Sequence, residues 1–294
     1  MISQGIDIIY TILHTIKSFI GVLKIFVFSI IFRTKIFKVK KYKFKENFYI
    51  LGSGESNKEI DKDEIKYDLM NSTSIGINFW IYHDYVPDLY FFEINGSDTY
   101  TWNLFCELLQ IKKREYQNTI FIIRDVEKLK FQDLYAIENF PEELRKNLYF
   151  SLDFDLGKGT MARFNMTTFV AKKFFNFINI LPKSRGSLSS AFSIGLHSSS
   201  KNIVLVGCDL KGSNYHLARD FISNKHFNLP KIKTIRQENP DKHKTNDKDY
   251  GLPLISDVIL TFQLHNKNNK NIFNIDKEGY FSKYFEKWDS NFGA

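Results

Sequence analysis

The chain has 294 residues, 43% of them hydrophobic and 25% charged, with 16% aromatic and a net charge of +8. That balance excludes a disordered chain and fits one large folded domain or two small ones. The charge also argues against nucleic acid as the partner, because residues 1–45 hold nine basic residues against one acid, Asp7, so the rest is neutral overall.

The first predicted element is the apolar run over residues 5–32, long enough for the roughly 20 residues that cross a bilayer. His14, Lys17 and Lys24, with Thr15 and Gly21, form a narrow polar stripe on it. Two arrangements follow: an amphipathic helix in the membrane plane whose lysines reach the headgroups, or a single span that tolerates Lys24. No small-residue cleavage site follows, so a signal peptide is not expected. Seven positive charges from Arg33 to Lys45 come next. They favour an anionic membrane surface as partner and put the remainder on the cytoplasmic face of the inner membrane. The expected division is therefore a membrane-associated helix and basic linker over residues 1–45, and a domain over 46–294.

Within that domain, strands are predicted at Phe48–Leu51, Ser74–Phe79, Asp88–Glu93, Thr119–Ile123, Leu148–Leu152, Asn202–Val206 and Ile272–Ile275. Helices are predicted at Lys58–Leu69, Thr99–Tyr116, Arg163–Leu181, Ser187–Ser199, Pro253–His265 and Tyr280–Trp288. Strands alternating with helices point to an α/β fold, a Rossmann-like and mostly parallel sheet flanked by helices. Leu210–Tyr250 is polar, without a clear period, and too long for a passive connection; a lid or acceptor-binding subdomain is expected there. Cys106 and Cys208 lack the spacing of a zinc site or a disulfide framework.

Three motifs carry chemistry. Gly52-Ser53-Gly54-Glu55-Ser56-Asn57 lies between a strand and a helix, where glycines permit close backbone approach and free N–H groups attract an anion. It lacks the third glycine of a dinucleotide fingerprint and the Gly-Lys-Ser/Thr of a P-loop. A methyltransferase would require an acid where Asn78 stands. Arg185-Gly186-Ser187-Leu188 begins a helix of small residues whose N-terminus suits a phosphate or a carboxylate, and the strand that follows ends in Gly207-Cys208-Asp209. His243 lies in the polar stretch, with His216 and His226 as competitors; imidazole titrates near neutrality and suits proton transfer. A rival constellation is Asp153-Phe154-Asp155, read either as a solvated strand end or as a metal site for a sugar diphosphate.

These motifs are similar in pattern to the bacterial CMP-sialic-acid-dependent sialyltransferases of glycosyltransferase family 42. LGSGESNKEID at residues 51–61 resembles the family's Gly-Asn-Gly-Pro-Ser-Leu loop and Lys-Glu-Ile-Asp helix start, with Ser53 in place of the loop asparagine. Asn78 in GINFW and Asn95 in FFEINGS match further family asparagines. Ser187 matches the serine of the Thr-Ser-Gly motif, and Gly207 and Asp209 match the end of the following strand. The resemblance implies a GT-A-like variant of the fold and an inverting transfer of a sialic or related nonulosonic acid from a CMP-sugar to a cell-surface glycan. It implies no cofactor and no metal. Gly52, Ser53, Gly54, Asn78, Asn95, Ser187, Gly207 and Asp209 are then the donor-binding set. His243 is the expected base, and Tyr215, Lys211 and Arg219 the groups that assist the departing phosphate. A different donor (CMP-Kdo, or a UDP-sugar with metal) and a non-catalytic nucleotide-binding protein are the alternatives, and a homo-oligomer stays open.

Overall fold

The computed structural model describes residues 2–94, 100–129, 131–157, 160–178, 181–184, 186–208, 210, 253–265, 270–276 and 279–289. A 30-residue helix, α1 (Ile2–Ile31), comes first. The chain then runs through β1 (Lys35–Ile36), β2 (Asn47–Leu51), α2 (Asp63–Met70), β3 (Thr73–Ile77), β4 (Leu89–Glu93), α3 (Tyr100–Lys112), β5 (Ile120–Arg124) and β6 (Leu148–Phe150). It continues through β7 (Asp153–Asp155), α4 (Met161–Ile178), β8 (Leu181–Lys183), α5 (Ser187–His197), β9 (Asn202–Val206), α6 (Ile255–His265), β10 (Asn271–Asn274) and β11 (Glu286–Lys287).

Among the described residues, nine strands form one sheet in the order β1-β6-β5-β4-β3-β2-β9-β10-β11. Its pairings are parallel throughout. The parallel α/β architecture expected from the alternation of elements is therefore present. Its strands read as unbroken apolar runs for a physical reason: a parallel sheet is covered on both faces, and β3 and β9 are buried at every position. The core continues into the aromatic cluster of Tyr90, Phe92, Trp102, Phe105, Phe121 and Phe140 between β4, β5 and α3. α5, the helix of small residues, packs on β2, β3, β4 and β9. Gly195 lets it approach Phe48 and Ile203, which a Cβ there would overlap.

Four segments differ from the sequence expectation. The basic stretch after α1, expected as a linker, places β1 on the sheet edge against β6 and buries Phe37, Val39 and Phe44. Lys58–Leu69, expected as one helix, is a 3-10 run at Glu55–Asp61 followed by α2, because Lys62 between them is extended (φ −70°, ψ 130°). Tyr280–Trp288, expected as a helix, is a 3-10 turn at Tyr280–Lys283 and then β11. Trp288 is tied there by its indole N–H to Asp68 (3.2 Å) and by edge packing on Phe273. Finally, β7 and β8 form a separate two-stranded parallel sheet.

Candidate active site

In an open parallel sheet, ligands bind at the carboxyl ends of the strands where the strand order reverses. Here that point lies between β2 and β9: the chain leaves β2 toward β3 on one side, while β9 lies on the other. The Gly52 loop follows β2 and the Gly207 loop follows β9, so the two glycine motifs meet at the reversal point. The Gly52 N–H donates to the Val206 carbonyl (2.7 Å) and the Gly54 N–H to the Gly207 carbonyl (2.8 Å). The Gly207 N–H donates to the Ser56 hydroxyl (2.9 Å). Each glycine is required by that closeness: a Cβ on Gly52 would overlap the Gly207 carbonyl, and one on Gly207 the Gly52 carbonyl. Gly207 also has φ 63°, in the left-handed region.

This geometry revises one expectation. The N–H groups of Gly52 and Gly54 bond to the neighbouring loop and are not free for an anion. The groups left to a ligand are side chains and the 3-10 turn beyond. Ser53 is mostly buried. Asn57 is 1% exposed, and its Nδ2 has no hydrogen-bond partner among the described residues. A buried, unpaired amide beside the loop is a donor available to a ligand.

Asn78 follows β3 with φ 54°, a conformation asparagine adopts more readily than most residues. Its carbonyl accepts from the Tyr90 hydroxyl (2.7 Å), which in turn accepts from the Ile81 N–H (2.8 Å). The turn is thereby fixed, and the Asn78 side chain stays partly exposed at the same end of the sheet.

Ser187 begins α5 next to charged groups that sequence reasoning missed. β4 ends in Glu93 and β5 in Arg124, paired in register. Their side chains form an ion pair (2.9 Å). Buried Arg124 also donates to the Gly186 carbonyl (3.0 Å) and the Ser190 hydroxyl (2.7 Å). The Ser187 hydroxyl lies 3.5 Å from the Glu93 carboxylate. A carboxylate thus already faces the N-terminus of α5, where a ligand anion was expected, and Arg124 balances it. The signal in the sequence is that LYFFE and IFIIR, two apolar strands, each end on a charge at the carboxyl edge.

Behind this corner lies a buried ionic cluster. Lys183 at the end of β8 pairs with Asp125, with Glu127 (2.8 Å) and more distantly with Asp153 (3.9 Å). Lys128 reaches Asp125 (2.6 Å). Burial disfavours charge on both Lys183 and Asp125, yet the opposite charges around each outweigh it: the Lys183 pKa is raised and that of Asp125 is held well below the usual carboxylate range. Among the described residues, with Glu93 included, the carboxylates outnumber the cations Arg124, Lys128 and Lys183 by one, and Asp153 is the least compensated. Burial pushes its pKa up from 3.8 to about 6, against the pull of Lys183 and Arg124. Asp153 is therefore not a solvated strand end. It accepts from the Ser151 hydroxyl (2.5 Å) inside the protein. The Asp155 carboxylate accepts from the Gly157 N–H (2.9 Å). Neither is arranged as the metal pair of a diphosphate donor site.

A raised carboxyl pKa means that the folded state holds a proton the unfolded state has lost, so stability falls as pH rises between the two values. Asp153→Asn removes that dependence. Its stability relative to wild type is expected to improve by about 2–3 kcal/mol between pH 4 and pH 6, measured as urea unfolding of both proteins across that range. A constant difference would mean that Asp153 does not titrate there.

Asn95, Arg185, Asp209, Lys211, Tyr215, Arg219 and His243, with His216 and His226, lie outside the described residues. Of the predicted set, Gly52, Ser53, Gly54 and Gly207 come together at the reversal point. Asn78 and Ser187 also lie beyond the carboxyl ends of strands, beside β3 and facing β4 respectively. Cys106 and Cys208 are buried and form no disulfide among the described residues.

No family model and no curated relative matches the chain. Solved structures do. An α-2,3/8-sialyltransferase CstII variant aligns at 13% identity over 83% of this chain and 87% of its own, TM-score 0.44. CstII from Campylobacter jejuni in complex with cytidine-5'-monophosphate aligns at 11% identity over 85% and 87%, TM-score 0.45. The MAf glycosyltransferase of Magnetospirillum magneticum AMB-1 aligns at 13% identity over 88% of this chain and 36% of that protein, TM-score 0.46.

Proposed function

We propose that the chain is a glycosyltransferase that moves a sialic or related nonulosonic acid from a CMP-sugar to a cell-surface glycan at the cytoplasmic face of the inner membrane. The observation that carries this reading is the meeting of the two glycine loops at the reversal point of a parallel sheet. These are the blocks in which the sequence resembles family 42, and the pairing of β2 with β9 draws residues 155 apart in sequence together, as in the hydrogen bond of Asn202 to Asn47.

In this reading Ser53, Asn57, Asn78, Asn95, Ser187 and Asp209 hold the donor, and Asn57 supplies the amide that Ser53 lacks. His243 takes the proton from an acceptor hydroxyl. The hydroxyl oxygen attacks the anomeric carbon, the bond from that carbon to the phosphate oxygen breaks, and CMP departs with the electron pair. Tyr215, Lys211 or Arg219 stabilises the charge on the leaving phosphate.

The test is a donor screen in detergent, scoring free CMP and UDP after offering CMP-sialic acid, CMP-Kdo and UDP-hexoses with and without EDTA. CMP release from the nonulosonate donor, insensitive to EDTA, is expected. His243→Ala is expected to lower turnover by about 100-fold or more while CMP binding by calorimetry is kept. Release from a UDP-sugar alone, dependent on metal, would overturn the donor. A protein that binds CMP and turns over nothing would be the non-catalytic alternative.

A further inference from the structure

α1 is oriented by its polar side, and the orientation is the reverse of a simple amphipathic surface helix. His14, Thr11, Ser18 and Gly21 face the domain. His14 Nε2 and the Ser18 hydroxyl meet the Asp155 carbonyl oxygen at 2.7 and 3.2 Å. Thr11, Ser18, Val22 and Ile25 are buried. Asp7 pairs with Arg163 of α4, Phe19 packs edge-on against Phe154, and Phe32 against Phe150. A Cβ on Gly21 would meet Glu127 at 3.3 Å. The helix is about 45 Å long, and these ties run from Asp7 to Phe32, nearly its whole length.

The opposite face carries Ile6, Ile8, Ile9, Ile12, Leu13 and Ile16, and beyond them Ile20, Leu23, Phe26, Val27, Ile30 and Ile31, exposed by 41–78%. A patch of that extent on a soluble monomer marks an interaction surface. Lys17 and Lys24, two turns apart and exposed, border one edge of it. Just past its end, Lys35, Lys38 and Lys41 line a cleft of about 350 Å³ with Phe37, Tyr42 and Tyr149.

We propose that α1 lies flat in the surface of an anionic bilayer, its apolar face among the acyl chains and its polar face on the domain. It does not cross the membrane. Crossing would carry Asp155, Glu127 and Arg163, to which the helix is tied, into hydrocarbon. A second copy is a poorer occupant than lipid, because an antiparallel two-fold contact through this face would bring the two lysine-bearing edges together. The lysines at the edge and the end of the helix suit anionic headgroups. The inference deepens the proposed membrane partner and is independent of the donor chemistry.

The test uses the full chain, floated with vesicles of phosphatidylcholine alone or with phosphatidylglycerol. Binding is expected to be stronger with phosphatidylglycerol. Lys17→Glu/Lys24→Glu is expected to weaken that binding by about tenfold or more. Leu13→Glu/Ile20→Glu alters exposed positions, so it is expected to abolish flotation without changing the unfolding midpoint. In inverted membrane vesicles, cysteines placed at Lys17, on the edge of the apolar face and midway along the helix, and at Arg33 are both expected to react with an impermeant maleimide. Protection of either one would mean a spanning helix and overturn the proposal. So would unchanged flotation of Leu13→Glu/Ile20→Glu, or a lipid-free dimer that this variant dissociates. A chain that floats but releases no CMP would overturn the donor reading alone. One that releases CMP without floating would overturn this inference alone.

Discussion

Lys183→Met is expected to destabilise the protein by about 3–5 kcal/mol, the cost of leaving buried charge without its partner. The magnitude follows from what remains. Lys183 is nearly inaccessible and faces Asp125, Glu127 and Asp153, and Glu127 Oε2 and Asp153 Oδ2 have no hydrogen-bond partner among the described residues. Removing the ammonium leaves three carboxylates around an apolar side chain, with Lys128 and Arg124 the cations that balance them among the described residues. The double variant Lys183→Met/Asp153→Asn is expected to recover part of the loss, because one of the stranded charges is gone, and more of it above pH 6 than at pH 4. Urea unfolding at both pH values checks this. A Lys183→Met protein as stable as wild type would mean that water reaches the cluster. The effect should extend to the site, since β8 leads directly into Gly186 and Ser187, whose corner is held by Arg124.

Gly207→Ala is expected to remove nucleotide binding and to cost about 1–3 kcal/mol for forcing a side chain into the left-handed region, with a similar cost for overlap with the Gly52 carbonyl. The two effects separate by measurement. Thermal unfolding reads the stability loss, and CMP calorimetry on the folded fraction reads the site. Gly5→Ala, at a helical glycine with open space around it, is the matched control and is expected to leave nucleotide binding unchanged without loss of stability, because alanine is the better helix former. Nucleotide affinity that survives Gly207→Ala would place the donor site away from the β2–β9 reversal point.

The central strands were legible because burial on both faces makes them continuous apolar runs, as in NFYIL and NIVLV. β7 and β8 were not, because Asp-Phe-Asp and Leu-Pro-Lys carry charges whose partners lie on distant elements; only the fold shows that Lys183 meets Asp125. The segment ending at Trp288 was misread because its aromatic spacing imitates a helix, whereas pairing of β11 with β10 and the Trp288–Asp68 hydrogen bond decide its form. In the site, the glycines were legible from their place after apolar strands. Their mutual hydrogen bonds were not, since nothing local marks that Gly54 is taken by Gly207. Glu93 and Arg124 carry no local mark beyond their position, each at the end of a buried strand. On α1 the stripe was read correctly as polar, but His14 and Gly21 turn toward the domain while Lys17 and Lys24 turn away from it.

The pairing of β2 with β9 also governs how the chain can be made. During synthesis β2 emerges early and gains β3 soon after, but its other edge has no partner until Asn202–Val206 leaves the ribosome. Contacts of such sequence separation form slowly, and an open apolar edge on a nascent half-sheet invites association with other chains. Fragments ending before β9 are therefore expected to aggregate, whatever their length. The order of emergence also gives α1 its opportunity: it is translated long before the sheet can close.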